Sequence, residues 1–167
     1  MYKILLLICF LTVTDTYAQL KPAILKLKTG EQFSVVGKFK SNNYFKYKND
    51  IYGKSNKIHF SEIEFVQMKN ETDKMSVFKY FNVKGWEEGI VVEEVELGNK
   101  ANLYAIIRNV FVKQAGFTTT MVSENFFAKK AGENELTHLG KYAPMLNNLR
   151  EKILSFYGDC EGLVTKI

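Results

Sequence analysis

Residues 89–107 read Gly-Ile-Val-Val-Glu-Glu-Val-Glu-Leu-Gly-Asn-Lys-Ala-Asn-Leu-Tyr-Ala-Ile-Ile, and the reading of this stretch decides the fold. Two apolar-rich runs flank the turn sequence Gly98-Asn99-Lys100, so the segment predicts a β-hairpin. A three-residue loop pairs Leu97 with Ala101, Val95 with Leu103 and Val91 with Ile107, apolar on apolar along one face. A two-residue loop would set Val95 opposite Asn102 and Leu97 opposite Lys100, so the pattern favours the longer loop. In that register Glu94 and Glu96 face out, and Glu93 is the one carboxylate left on the apolar face.

Upstream of the hairpin the period of two repeats. Leu25-Lys26-Leu27-Lys28 alternates, Thr29-Gly30-Glu31 turns the chain, and Phe33, Val35, Gly37 and Phe39 alternate against Ser34, Val36, Lys38 and Lys40. Ser41-Asn42-Asn43 is a second turn, after which Phe45 and Tyr47 point in while Lys46 and Lys48 point out. Asn49 to Asn56 is a loop, Lys57 to Phe60 starts a fourth strand, and Ile63 to Val66 gives a fifth. Five short strands joined by tight turns predict a small curled sheet or barrel of the SH3-like or Sm-like kind, which carries no function by itself. The polar run Lys69 to Lys74 marks the boundary between two halves, and its Asn70-Glu71-Thr72 fits a glycosylation acceptor. Val77 to Val83 is an apolar strand, Gly85-Trp86-Glu87-Glu88-Gly89 a turn, and Val110-Phe111-Val112 either extends the hairpin or stands as a short separate strand. Gln114 to Thr119 reads as a loop, Thr120 to Lys129 as a strand, and Leu136 to Leu139 as the return after Ala131-Gly132-Glu133-Asn134.

Near the C-terminus the period changes. Leu146, Leu149, Ile153 and Phe156 recur at helical spacing, with Pro144 suited to the first turn and Gly158 to the stop. Asp159 can cap a second short helix that buries Leu163, Val164 and Ile167. The fold class predicted is therefore α+β: mainly antiparallel β, with a curled or barrel-like N-terminal half, a hairpin-rich second half and C-terminal helices. The units are a leader over 1–18, a basic β-rich unit over 19–70, and a sheet with helices over 71–167. These last two stand either apart or as one compact body.

The leader is an export signal. Lys3 precedes the apolar run Ile4–Val13, and Thr16-Tyr17-Ala18 offers small residues for a cut before Gln19. The run falls short of the ~20 residues that span a bilayer. Cys9 follows Ile8 inside the run, which excludes a lipoprotein reading, and cleavage leaves Cys160 as the lone cysteine, either buried or cross-linked between molecules. The expectation is a periplasmic or extracellular protein without a transmembrane span after cleavage.

The net charge of +5 is unevenly spread. Between Gln19 and Phe60 the lysines 21, 26, 28, 38, 40, 46, 48, 54 and 57 face only Glu31 and Asp50. Such a surface either meets an anionic partner such as lipopolysaccharide, nucleic acid or an acidic glycan, or is a solvated face protecting sheet edges. The candidate ligand-binding residues are Lys26, Lys28, Lys38, Lys40, Lys46 and Lys48 with Tyr44 and Tyr52. Strand alternation counts against base stacking, because Phe39, Phe45 and Tyr47 share the face opposite to the lysines, so no specific nucleic-acid partner is expected.

The hairpin Val91 to Tyr104, the segment Phe126-Phe127-Ala128-Lys129-Lys130-Ala131-Gly132-Glu133 and the ending Phe156 to Ile167 resemble small exported proteins of Bacteroidota with no assigned function. The resemblance implies an envelope or extracellular location and brings no activity. In those relatives proline often follows the cysteine, where this chain has Glu161.

Catalytic patterns are missing. His59 and His138 lie in separate halves, and both read as structural rather than as metal ligands. There is no Gly-x-Ser-x-Gly elbow and no glycine-rich phosphate loop, and Asp159 and Glu161 oppose activation of Cys160. Glu87, Glu88, Glu93, Glu94, Glu96 and Glu124 are the carboxylates from which a hydrolase pair would have to come, but Glu93 and Glu94 point to opposite faces of one strand. The sequence thus predicts an exported, non-enzymatic protein of binding or structural role, without cofactor or metal. The alternatives are a binder of an anionic glycan or lipid through the lysine-rich face, and a small glutamate-dependent hydrolase for which Glu93 would stand beside Glu124.

Overall fold

The computed structural model describes residues 20–40, 43–70, 72–114, 117–142 and 151, with the backbone alone described over 109–122 and at 142. The alternating runs become strands where periodicity places them: β1 (Lys21–Leu27), β2 (Gln32–Lys40), β3 (Tyr44–Lys48), β4 (Asn56–His59), β5 (Ile63–Lys69), β6 (Met75–Phe81), β7 (Ile90–Leu97), β8 (Ala101–Gln114), β9 (Phe117–Lys130) and β10 (Thr137–Tyr142). A 3-10 turn, Phe60–Glu62, joins β4 to β5. The His59 ring caps it by accepting a hydrogen bond from the Ser61 amide.

All ten strands belong to one antiparallel sheet in the order β10-β9-β8-β7-β6-β5-β1-β2-β3-β4. This corrects the α+β class. The described residues form an almost purely β protein without C-terminal helices, and the stripe from Leu146 to Phe156, the second helix and Cys160 all lie outside the described residues. Nor does the N-terminal half stop as a barrel of its own. β5 pairs with β6 from Val66↔Phe78 to Lys69↔Met75, so one sheet runs through the polar stretch taken as a boundary.

The sheet buries itself by rolling twice, in opposite directions. In a flat sheet β2 and β6 would stand ~14 Å apart, three strand spacings. Yet the Phe39 and Phe78 rings meet at 4.7 Å, and His59 at the end of β4 lies 5.6 Å from Tyr80 on β6. The N-terminal strands therefore curl back over β6 and enclose a first core that includes Leu25, Phe45, Phe60, Ile63 and Val66. At the other end, Val83 just past β6 forms a parallel bridge with Leu136 just before β10. The Lys84 amide donates to the Leu136 carbonyl and the Leu136 amide to the Asn82 carbonyl, each at 2.9 Å. That seam closes a second core of Val83, Val92, Tyr104, Phe127 and Leu136. Burial pushes the Tyr104 hydroxyl above its ordinary pKa, against a hydrogen bond of 3.3 Å that it accepts from Asn102 Nδ2.

β6 and β7 serve both cores, because successive strand residues point to opposite faces. Phe78, Tyr80 and Val91 pack in the first core, while Phe81, Ile90 and Val92 pack in the second. The predicted hairpin register assumes a single apolar face, and here it needs correction. Glu93↔Ala105 and Glu94↔Tyr104 follow the predicted register, but a bulge at Val95 shifts the turn end to Glu96↔Leu103 and Leu97↔Asn102. The bulge accompanies the exposure of Val95 and Leu97 to solvent, whereas Val92, on the face opposite Val91, is 1% exposed because the second core covers that face. β8 absorbs Val110-Phe111-Val112, and much of the loop predicted over 114–119 is strand.

Close packing sets two measurable expectations. A Cβ at Gly37 would lie 2.3 Å from the Phe45 ring, which fills the space a side chain would occupy. Gly37→Ala should therefore lose about 1–3 kcal/mol in urea unfolding, with the outward-facing Val36→Ala as the comparison. At the seam, Lys84 Nζ bonds Glu133 Oε1 at 2.9 Å and holds that carboxyl below its usual pKa. A lowered folded pKa means the contribution is complete above the unfolded carboxylate range and vanishes as pH falls through the folded value. The stability gap between the wild type and Glu133→Gln should accordingly close on acidification in pH-dependent melting curves.

Candidate functional site

Two neighbouring regions gather polar chemistry. The first is the outer face of β2–β4. The registers Lys38↔Lys46 and Lys46↔Lys57 set three lysines directly opposite one another across three strands. Such partners have Cβ atoms ~5 Å apart, and like charges so placed repel. The next row is Lys40↔Tyr44↔His59. Lys57 Nζ stands 3.9 Å from the centre of the Tyr44 ring, a cation–π contact that partly spreads the charge. Lys46 and Lys57 join none of the ion pairs among the described residues.

The residues expected to bind are only partly brought together. Lys38, Lys40, Lys46 and Tyr44 share this face, and Lys48 continues it, donating to the Ile51 carbonyl at 3.1 Å. Lys26 is spent elsewhere, in a 3.0 Å ion pair with Glu64. Lys28 lies past the end of β1, where its amide bonds the Glu62 carbonyl. Tyr52 is 97% exposed in the β3–β4 loop, its amide bonded to Asp50 Oδ1. Sequence reasoning left out Lys57, whose membership follows from the register of β3 with β4.

The second region is a cleft of about 710 Å3 beside the same hairpin. One wall is the end of β2, with Lys38, Phe39 and Lys40, together with Asn43 just before β3, and the other is β7–β8, with Val91, Glu93, Ile107 and Arg108. It opens where the β7–β8 pairing ends at Glu93↔Ala105, which leaves Ile90–Val92 and Ile106–Arg108 unpaired with each other. Phe39, 37% exposed, supplies an aromatic surface. Lys21, Lys69 and Asn70 border the inner end. None of Lys21, Asn70, Glu93 and Arg108 stood out as a binding residue in the sequence, because they converge only after the sheet rolls.

Asn70 and Glu93 form the buried polar joint of the molecule, 7% and 8% exposed. Asn70 Nδ2 donates to Glu93 Oε1 at 2.7 Å, and Ser76 Oγ donates to the same oxygen at 2.6 Å. Asn70 Oδ1 accepts from the Thr72 amide and hydroxyl, both at 2.9 Å, and from the Lys74 amide at 3.0 Å. The Asn-x-Thr pattern thus shapes the β5–β6 turn. With its amide nitrogen bonded to Glu93, Asn70 is poorly placed to accept a glycan in the folded protein.

Glu93 reaches toward β5 and β6, while Glu124 sits on β9 opposite Ile107 of β8. Two strands and two residues separate them, ~12 Å at the backbone, so the register does not bring the two carboxylates together. Glu94 faces the other way and pairs with Lys79 at 2.7 Å. His138 stacks near Phe127 and Trp86, at 5.0 and 5.7 Å between ring centres. Among the described residues no three histidine, cysteine or carboxylate groups converge as metal ligands.

Fold and site together describe a doubly rolled antiparallel sheet with a basic face and an adjoining basic cleft. No protein-family model, no curated protein and no solved structure matches the chain.

Asn70→Ala should destabilise the protein by about 2–4 kcal/mol, since it leaves Glu93 with one donor and the turn amides without their acceptor. Denaturant midpoints of Asn70→Ala against the exposed Thr72→Ala measure this.

Proposed function

We propose that the protein is an exported, non-enzymatic binding protein of the cell envelope or exterior, whose lysine-rich sheet face recognises an anionic glycan or lipid. The observation that carries this reading is the in-register row Lys38–Lys46–Lys57. Within that row the directly opposed Lys46 and Lys57 repel each other, and a polyanion laid across the strands relieves that repulsion. Phosphates, sulfates or carboxylates repeated along a polymer or a lipid surface match a row of this kind. Lys40 and Tyr44 in the next row widen the footprint, and the ring of Tyr44, already beneath Lys57, offers an edge to a sugar.

Further support comes from the carboxylates. Glu93 is committed to Asn70 and Ser76, and Glu94 to Lys79, so these two glutamates serve the architecture. Export rests on the N-terminal pattern Lys3, Ile4–Val13 and Thr16-Tyr17-Ala18. Among the described residues no helix is long and apolar enough to cross a membrane.

The chain Gln19–Ile167 should be retained on heparin and on immobilised lipopolysaccharide in low salt and released as ionic strength rises toward 1 M, where charges are screened beyond ~3 Å. Lys46→Gln/Lys57→Gln should elute at clearly lower salt with an unchanged melting temperature or a slightly raised one. Equal elution of this variant and the wild type removes the lysine row as the contact.

A further inference from the structure

We propose that the cleft beside the β2–β3 hairpin binds a small zwitterion with an apolar body, an apolar α-amino acid, held between Lys21 and Glu93. This site is separate from the lysine row and does not depend on the reading of that row. Lys21, Asn70 and Glu93 line the inner end of the cleft, and hydrogen bonds hold them together. Lys21 Nζ donates to the Asn70 carbonyl at 3.2 Å, and Asn70 Nδ2 donates to Glu93 Oε1 at 2.7 Å. Two opposite charges thus flank one asparagine. Yet they form no ion pair with each other or with any other described residue.

Each charge keeps hydrogen-bonding capacity in reserve. Lys21 spends one of its three ammonium hydrogens on Asn70. Glu93 is 8% exposed, and both of its donors, Asn70 and Ser76, meet Oε1, the oxygen committed to the architecture. Oε2 has no donor. Among the described residues Glu133 Oε2 is the one sealed side-chain oxygen without a partner, so solvent reaches Glu93 Oε2, and the cleft is its outlet. A carboxylate oxygen so deeply set is matched by an ammonium, and the Lys21 ammonium by a carboxylate. An α-amino acid carries both groups on one carbon. A net anion would be repelled by Glu93 and a net cation by Lys21, so a zwitterion is the charge complement.

The apolar body finds its wall on the same side. Phe78 stands opposite Glu93 in the register of β6 with β7, and Val91 lies two residues before Glu93, so the three side chains share a face. The Phe39 ring leans on Phe78 at 4.7 Å and stays 37% exposed. Ile107, two residues past the Ala105 that pairs with Glu93, lines the cleft with them. The volume, about 710 Å3, falls among pockets that enclose one small molecule. It exceeds what leucine fills, so bulkier apolar side chains fit as well.

Isothermal titration of the chain Gln19–Ile167 with L-leucine and L-phenylalanine tests this. Both should bind saturably. N-acetyl-L-phenylalanine lacks the ammonium, L-phenylalaninamide lacks the carboxylate and glycine lacks the apolar body. Each should bind about tenfold or more weakly than L-phenylalanine. Glu93→Gln keeps an oxygen for Asn70 and Ser76, and it should weaken L-phenylalanine about tenfold or more, as should Lys21→Gln. Lys46→Gln/Lys57→Gln should leave the affinity unchanged. Melting curves confirm that the variants fold, and the analogue series on the wild type decides the matter where Glu93→Gln does not fold. The proposal is overturned if neither amino acid binds, if the acetylated or amidated form binds as tightly, or if folded Glu93→Gln or Lys21→Gln binds normally. Retention on heparin without amino-acid binding would sink the cleft site and leave the lysine-face reading standing. Amino-acid binding without retention on heparin would do the reverse.

Discussion

The alternation of side chains along β6 and β7 is the constraint on which the molecule depends. These two strands lie in the middle of a ten-stranded sheet whose ends roll to opposite sides. Each must therefore be apolar on both faces where the cores meet it, and polar only where a partner waits. Phe78, Tyr80 and Val91 serve one core, and Phe81, Ile90 and Val92 the other. The charged residues in these strands obey the same demand. Lys79 and Glu94 neutralise each other at 2.7 Å on the second face. Glu93 on the first face is satisfied by Asn70 and Ser76. A slip of one residue anywhere in β6–β7 would exchange the two sets and bury both charges wrongly.

Much of this architecture is legible in the sequence, for a physical reason. A strand that faces solvent on one side shows its period directly, and β1 to β5 do so, with lysines outside and Phe45, Leu25 and Val66 inside. β7 is harder to read because it has two buried faces. Ile90, Val91 and Val92 form a continuous apolar run, and a single-faced reading then places Val92 outward and pairs Val95 inward. Neither the second core that buries Val92 nor the bulge at Val95 leaves much trace in composition. Helical spacing after Pro144 suggested a second layer of structure, whereas the described cores are closed by the sheet itself.

The binding surface divides along the same line. Lys38, Lys40, Lys46 and Tyr44 could be placed on one face by counting residues along two neighbouring strands. Lys57 required the register of a third strand. Lys21, Arg108 and Glu93 required the roll, which brings β1 and β2 over β7 and β8 although two to four strands lie between them in the sheet order. No local pattern encodes such a meeting. Asn70-Glu71-Thr72 shows the converse: a local pattern with a familiar reading turns out to serve a turn and a buried carboxylate.

The order of strands carries a consequence for how the chain reaches this state. From β5 to β10 each strand pairs with the next in sequence, and so do β1 to β4. Hairpins can form one after another at low loop-closing cost. The pairing of β1 with β5, Ile24 against Gln67, and the Val83–Leu136 seam span far longer stretches of chain. Assembly should thus proceed by local zippering first, with these two distant closures arriving last and setting the pace.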